Sequence, residues 1–362
     1  MENRFFRMEV HRLTGELSLY DKINRRMLFQ GAGIIAREER RGEYIYQMAL
    51  SGREFQPVID SVEIEENNAV FCRVAIRGTI YEQPFVQTVT LSADSPDVEL
   101  ENTIEWRGCR YVRLEQSFPF VSAENAEIHY GVPFGMVRFP ESVYQPSGIV
   151  SEETGEQDPA WNIRLVRDWV DISDSLGGAT IAADHRMWTF RENSLLNCMI
   201  RGIGWTSGGV RLLEDGTRQA VQRPPAGTYR FRYRLRPRAA GSEIDPHLGP
   251  ELNTPMLHAA VESGKVSSQP GLLMPEMPDT TGSSVIISTV CPAEQHNGIL
   301  FRCFESLGKE ASLSLPGNRN TRWIETDLLE EHPREVTEEL RFRPFEIKTL
   351  IRLFPETGNA EC

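Results

Sequence analysis

Hydrophobic and polar positions alternate with a period of two along most of this chain. Val58–Ile64 reads VIDSVEI, Val70–Ile80 reads VFCRVAIRGTI and Val86–Leu91 reads VQTVTL. Val98–Trp106 (VELENTIEW) and Tyr111–Phe118 (YVRLEQSF) repeat the pattern. Each run is rich in branched or aromatic side chains and is bounded by Gly, Pro, Asn, Asp or Ser. Such side chains fit a pleated, half-buried surface, and small polar residues make turns, so each run predicts a strand. The same pattern predicts strands at Ile163–Trp169, Ala179–Ala183, Leu195–Arg201, Tyr229–Leu235, Val285–Val290, Ile299–Phe304, Ala311–Leu315 and Phe345–Phe354.

Helical periodicity is scarce. Pro255–Ser263 and Asp327–Glu331 carry the best of it, and both are too short to stand without tertiary support. Many strands with few helices predict an all-β protein of sandwiches or barrels, not a doubly wound sheet. Between residues 237 and 284 the pattern breaks at Pro237, Pro246, Pro250, Pro255, Pro270, Pro275 and Pro278. Proline fixes φ and removes a backbone donor, so this stretch predicts a long connection. The expected division is a large sheet structure over 1–270 and a small β domain over 271–362. Glu141–Pro159 is acidic and polar and predicts a second long loop.

Charge narrows the partners. The 362 residues hold 39 Lys and Arg against 52 Asp and Glu, a net charge of −13, which disfavours nucleic acid. The nearest basic run, Arg230–Arg238 (RFRYRLRPR), alternates its cations with Phe231, Tyr233 and Leu235, as on a strand with one wet face. Six cysteines form no CxxC pair, which argues against a disulfide framework or a metal knuckle. No apolar run reaches the ~18–20 residues of a membrane span, and the N-terminus has no signal-peptide pattern. A reducing, cytoplasmic setting is therefore expected, with no membrane partner.

Candidate chemistry is sparse. No two of the seven histidines lie closer than 11 residues, so no zinc-ligand spacing is present and no metal site is expected. Asp184–His185 is a tight carboxylate–imidazole pair, but strand neighbours point to opposite faces. A retaining glycosidase needs two facing carboxyl groups. Asp171 and Asp174 in WVDISD sit on opposite faces at period two, which favours structural roles. An epimerase or lyase would need His129 or His185 across a cleft from a carboxylate. GIGWTSGG (Gly202–Gly209) leaves a strand for a loop rather than opening a helix, so it predicts no phosphate cradle. Sugar recognition is the remaining chemistry. Trp161, Trp188 and Trp205 lie beside polar, loop-like sequence and could stack on pyranose rings, with Arg201 and Asp184 fixing hydroxyls. Each tryptophan also suits a core position.

Several segments, in order, resemble the C-terminal region of family 38 α-mannosidases. They are FFRMEVHRLTGELSLYDKINRRML, VTLSADSPDVELENTIEW, EIHYGVPFG (Glu127–Gly135), RDWVDISD (Arg167–Asp174), ATIAADHRMW, LLNCMIRGIGW, TYRFRYRLRP, ELNTPML and the closing RPFEIKTLIRLF. The resemblance implies a galactose-mutarotase-like super-sandwich followed by a small β-sandwich. It implies mannosides as ligands, and it matches Arg201 loosely to an arginine that reaches sugar hydroxyls. In the family an N-terminal α/β domain and a helical bundle supply the zinc ligands, the Asp nucleophile and the general acid, and that His-His-Asp segment is not in this sequence. Zinc is thus expected only in a catalytic α/β unit, and a separate polypeptide carrying that unit is an expected partner. Ala183–Arg186 also departs from the Asn-Asp turn usual in the family. The implied role is an accessory β portion, inactive alone, that walls a carbohydrate cleft. A free-standing carbohydrate-binding or scaffold protein, and an epimerase or lyase on a related fold, stay open, as does an oligomeric state.

Overall fold

The computed structural model describes residues 1–39, 50–109, 111–124, 126–139, 163–191, 193–202, 210–212, 218–220, 224–254, 277–317, 321–337 and 339–354. Their regular structure is almost all strand, with one short helix, Leu248–Asn253, among the described residues. Two compact units form. The first takes in Met1–Gly131, Val137–Ile244 and Leu248–Asn253, and the second Val132–Met136, Asp245–His247 and Thr254–Cys362.

The first unit is a sandwich of two large antiparallel sheets. The eight-stranded sheet runs Phe6–Val10, Leu17–Asp21, Arg26–Glu39, Val112–Pro119, Ser194–Gly202, Met187–Arg191, Ile163–Leu165, and Leu50–Phe55 also pairs with Arg26–Glu39. The nine-stranded sheet runs Gly135–Phe139, Glu127–Val132, Trp169–Asp174, Gly177–Ala183, Gly227–Ala239, Val98–Trp106, Gln83–Ser92, Phe71–Ile80, Val58–Asn67.

Period-two patterning puts one side of each strand into the space between the sheets. Phe118 is buried there against Trp188 (ring centroids 6.2 Å apart, stacked) and Tyr233 (5.5 Å, edge-on). Polar groups inside this core are matched to one another. Gln87 Nε2 donates to Asn102 Oδ1 at 2.9 Å, and Asn102 Nδ2 donates to Gln116 Oε1 at 2.9 Å. A buried network satisfied in this way favours one register, because a slip of one residue would strand its donors.

The strand of alternating cations behaves as its pattern predicts. Phe231, Tyr233 and Leu235 are buried. The arginines between them meet carboxylates: Arg232 with Asp184, Arg234 with Glu99, Arg236 with Asp97, and Arg238 with Asp171.

The second unit is a small β-sandwich. A five-stranded sheet runs Val285–Pro292, Gly298–Glu305, Ile347–Leu353, Arg322–Thr326, Arg334–Val336. The pair Ala311–Ser314 and Glu339–Phe342 forms its second layer. Val285, Phe301, Cys303, Leu313, Trp323, Leu340, Phe342 and Leu350 fill the core.

The all-β reading, a large sandwich followed by a small one, is what the structure has. Local expectations differ in places. The strand expected over Ile163–Trp169 is broken: Ile163–Leu165 joins the eight-stranded sheet, while Trp169–Asp174 starts afresh in the nine-stranded one. Asp168, at φ 69°, makes the turn between them. Asp327–Glu331 is a turn rather than a helix, because the Asp327 carboxylate accepts from the backbone N–H groups of Leu329 and Glu331. Inside the proline-rich stretch, Pro237 continues a strand opposite Ala179, and Leu248–Asn253 is helical. Pro255–Ser263 and Glu141–Pro159 lie outside the described residues.

Candidate functional site

Side chains on one face of the eight-stranded sheet form an unexpected charged cluster. In the strand Val112–Pro119, Leu114, Gln116 and Phe118 point between the sheets, so Arg113, Glu115 and Ser117 point to the opposite face. Register brings Arg37 and Arg201 directly beside Arg113, one on each flanking strand. Three arginines abreast repel one another, and carboxylates hold them together. Glu39 Oε1 accepts from Arg113 Nη2 at 2.8 Å and from Arg201 Nε at 2.6 Å. Glu115 Oε1 lies 3.5 Å from Arg113 Nη1, and Glu115 Oε2 lies 3.1 Å from Arg37 Nε. Burial works against the charge on Arg113, but Glu115 and Glu39 outweigh it and raise its pKa. Arg37 goes the other way. Burial, helped by Arg191, lowers its pKa against the pull of Glu115 and Glu54.

A β-bulge places Arg201 in this row. Cys198 pairs with Glu115 but Ile200 pairs with Leu114, so Met199 is the extra residue. Strict alternation from Leu196 and Cys198 would have turned Arg201 between the sheets. With the bulge it faces outward beside Arg113.

The cluster is not fully satisfied. Among the described residues, eight buried side-chain polar atoms have no hydrogen-bond partner, and five of them lie here: Arg37 Nε and Nη1, Glu115 Oε2, Thr189 Oγ1 and Arg191 Nε. Buried polar atoms are normally paired, so this concentration singles the cluster out as the candidate site.

The residues singled out in the sequence fall in different places. Arg201 belongs to the charged row. Trp188 is 1% exposed and stacks on Phe118, so it is a core residue. Asp184 follows a strand of the nine-stranded sheet and accepts from Arg232 N at 3.0 Å and Nε at 3.2 Å. Burial would raise its pKa, but hydrogen bonds from His185 and Arg232 keep it below the usual carboxylate value. Trp161 and Trp205 lie outside the described residues. Nothing in the register joins Asp184 to Arg201.

Asp171 and Asp174 have structural partners. Asp171 is fully buried and accepts from Thr180 Oγ1 at 2.9 Å and Arg238 Nη2 at 2.9 Å. Asp174 is held by Arg26 and by the backbone N–H groups of Ala123 and Leu176. His129 faces Asp171 across paired strands, and burial lowers its pKa. His185 packs edge-on against Phe231.

Among the described residues one group could bring three metal-ligand atoms within 4.8 Å of one another, the exposed Asp327, Glu331 and His332. The Asp327 carboxylate already caps its own turn and lies 3.1 Å from His332 Nδ1. This set does not fit the buried, converging ligands of a zinc centre.

Sequence reasoning missed Glu39, Arg113 and Glu115. In YVRLEQSF their alternation with apolar residues signals a solvated face, whereas Arg113 and Glu115 are both fully buried. The available signal was opposite charge at i and i+2 on one strand, with RE in a neighbouring one.

The fold and this charged row define a large β module whose eight-stranded sheet carries a buried, partly unsatisfied polar cluster on the face away from the other large sheet. The family model described as the glycosyl hydrolases family 38 C-terminal domain matches residues 1–187, and that of the family 38 C-terminal beta sandwich domain matches 284–350. The chain belongs to glycosyl hydrolase family 38, through its C-terminal β region.

Its backbone superposes on an alpha-mannosidase from Enterococcus faecalis V583 with TM-score 0.69 at 17% identity, covering 98% of this chain and 42% of that one. A protein in glycosyl hydrolase family 38 from Enterococcus faecalis gives TM-score 0.68 at 17% identity, covering 98% of this chain and 44% of that one. The chain therefore spans less than half the length of these relatives. A comparison with curated protein sequences found no match. Among the described residues no helix is long and apolar enough to cross a membrane.

Proposed function

We propose that this chain is the accessory β portion of an α-mannosidase-type glycoside hydrolase. It packs on a catalytic α/β unit that lies outside these residues, helps wall a cleft for mannosides, and has no hydrolase activity alone. The single observation that carries this reading is coverage. Nearly all of this chain superposes on less than half of a protein titled an alpha-mannosidase, and the family matches fall on C-terminal domains.

In this reading Arg201, oriented by Glu39, contributes a guanidinium to the cleft, and Asp184, Trp161 and Trp205 contribute further sugar contacts. Trp188, a core residue, stays out of the set. Five unpaired thiols among the described residues support a reducing, cytoplasmic setting.

The test has two parts. The flanking or neighbouring coding sequence is read for an α/β unit, and the chain is assayed with an aryl α-mannoside and zinc, alone and with that unit. Turnover that needs both is the expected result. Turnover by the purified chain alone, or the lack of any such unit, would overturn the reading.

A further inference from the structure

The turn at Asp327–Glu331 in the second unit holds two leucines in water. Leu328 is 60% exposed and Leu329 73%. Among the exposed large apolar side chains of the described residues, they are the only consecutive pair. Single exposed leucines are ordinary, but an adjacent pair on one turn makes a patch. A flexible turn could fold such a pair back onto the protein, and this one is braced against that. Arg302 Nη2 donates to the Leu328 carbonyl at 3.0 Å. The Glu330 carboxylate accepts from the backbone N–H groups of Glu294 and Gln295 at 3.0 and 2.8 Å, and His296 Nε2 lies 2.9 Å from the Glu330 carbonyl. Glu330 and His332 take φ of 63° and 55°, a left-handed backbone that non-glycine residues adopt at a cost. A turn held this firmly presents its leucines already ordered, which lowers the entropy lost on docking.

We propose that Leu328 and Leu329 are the docking point for the catalytic α/β unit, entering an apolar pocket on that unit rimmed by Lys or Arg. This inference rests on the accessory role proposed above and adds to it the surface of contact. In the alpha-mannosidase from Enterococcus faecalis V583, more than half of the protein lies outside the part matched by this chain.

Charge selects this occupant over a second copy of the chain. The leucines stand between carboxylates, Asp327 on one side and Glu330 and Glu331 on the other, and the exposed Glu294 meets the same turn through its backbone. The nearby cation Arg334 is already paired with Glu325. Two copies docked through this turn would set carboxylates against carboxylates around the leucines, and each copy carries a net charge of −13. A cationic rim meets the same carboxylates with opposite sign. An apolar centre inside a polar rim is the usual make-up of a protein interface.

Hydroxyl-radical footprinting of the full chain tests it, alone and with the α/β unit sought above. The expected result is tenfold or greater protection of Leu328 and Leu329 in the complex. In calorimetric titration, Leu328→Ser and Leu329→Ser should each weaken the complex tenfold or more. Both variants should melt with the parent chain, because neither side chain is in the core. Added NaCl should weaken the complex as well, by screening the rim. A complex that leaves both leucines labelled, or that both variants form at full strength, would overturn the docking point and leave the accessory role standing. The lack of any complex would overturn both. Protection that rises with the concentration of the chain alone would assign the turn to a second copy and so overturn the proposal.

Discussion

Tyr233 and Asn197 join the two large sheets through one buried hydrogen bond, with the phenolic hydroxyl donating to Asn197 Oδ1 at 2.8 Å. Asn197 in turn donates through Nδ2 to the His185 and Met187 carbonyls at 3.1 and 3.3 Å. Replacing Tyr233 with Phe keeps the ring against Phe118 and strands the Asn197 oxygen in a dry core. The expected cost is about 1–3 kcal/mol, the desolvation penalty of one unpaired buried acceptor. Urea unfolding, read as a lower midpoint with unchanged slope, checks it.

Arg113 has a larger effect. Its guanidinium compensates Glu39 and Glu115 at full burial. Arg113→Met leaves Glu115 without this partner and Glu39 with Arg201 alone. Breaking a buried pair from one side costs roughly 3–5 kcal/mol. The same measurement should place this variant well below Tyr233→Phe, and equal losses would show that the row is not coupled.

Asp174 sets part of the acid limit. Burial alone would raise its pKa, but hydrogen bonds from Arg26, Ala123 and Leu176 hold it far below the ordinary carboxylate value. A depressed folded pKa adds stability that is fully present above the unfolded value, near ~3.9, and is lost as pH falls toward the folded one. Asp174→Asn should be less stable than the parent at neutral pH. The difference should shrink below about pH 4, as thermal melts across pH 7 to 2 would record.

The thiols should separate by burial. Cys198 and Cys303 are buried, and burial pushes the Cys303 pKa up to about 12 and that of Cys198 higher still. Cys72 and Cys291 are half-buried. Native protein at pH 8 should label at Cys72 and Cys291 within minutes, and at Cys198 and Cys303 only after unfolding. Cys109 should be slower than Cys72, because burial and Glu82 raise its pKa. Peptide mapping after alkylation reads all five.

Strands were legible because their signal is local. Val98–Trp106 alternates cleanly, and the structure returns the same bounds. Arg230–Arg238 showed its buried aromatic face for the same reason. The site was legible only in part. Arg201 was legible through the resemblance of LLNCMIRGIGW, but its partner Glu39 and its neighbour Arg113 come from strands far away in sequence. Arg113 and Glu115 looked wet because alternation reports two faces without saying whether the second is also covered. Trp188 looked available because polar neighbours surround it in sequence, while its ring packs across the sandwich on Phe118. The break at Asp168 was hidden because a left-handed backbone at an aspartate leaves no mark in hydropathy.

The bulge at Met199 makes chain length a vulnerable property of its strand. Met199 is itself buried, and its Sδ accepts from Asn102 Nδ2 at 3.3 Å, so the extra residue is packed into the core. Deleting that one residue would restore unbroken alternation and rotate Arg201 through half a turn into the oily interior, leaving Glu39 with Arg113 alone. The facing of this strand therefore hangs on its letter count as well as its spelling.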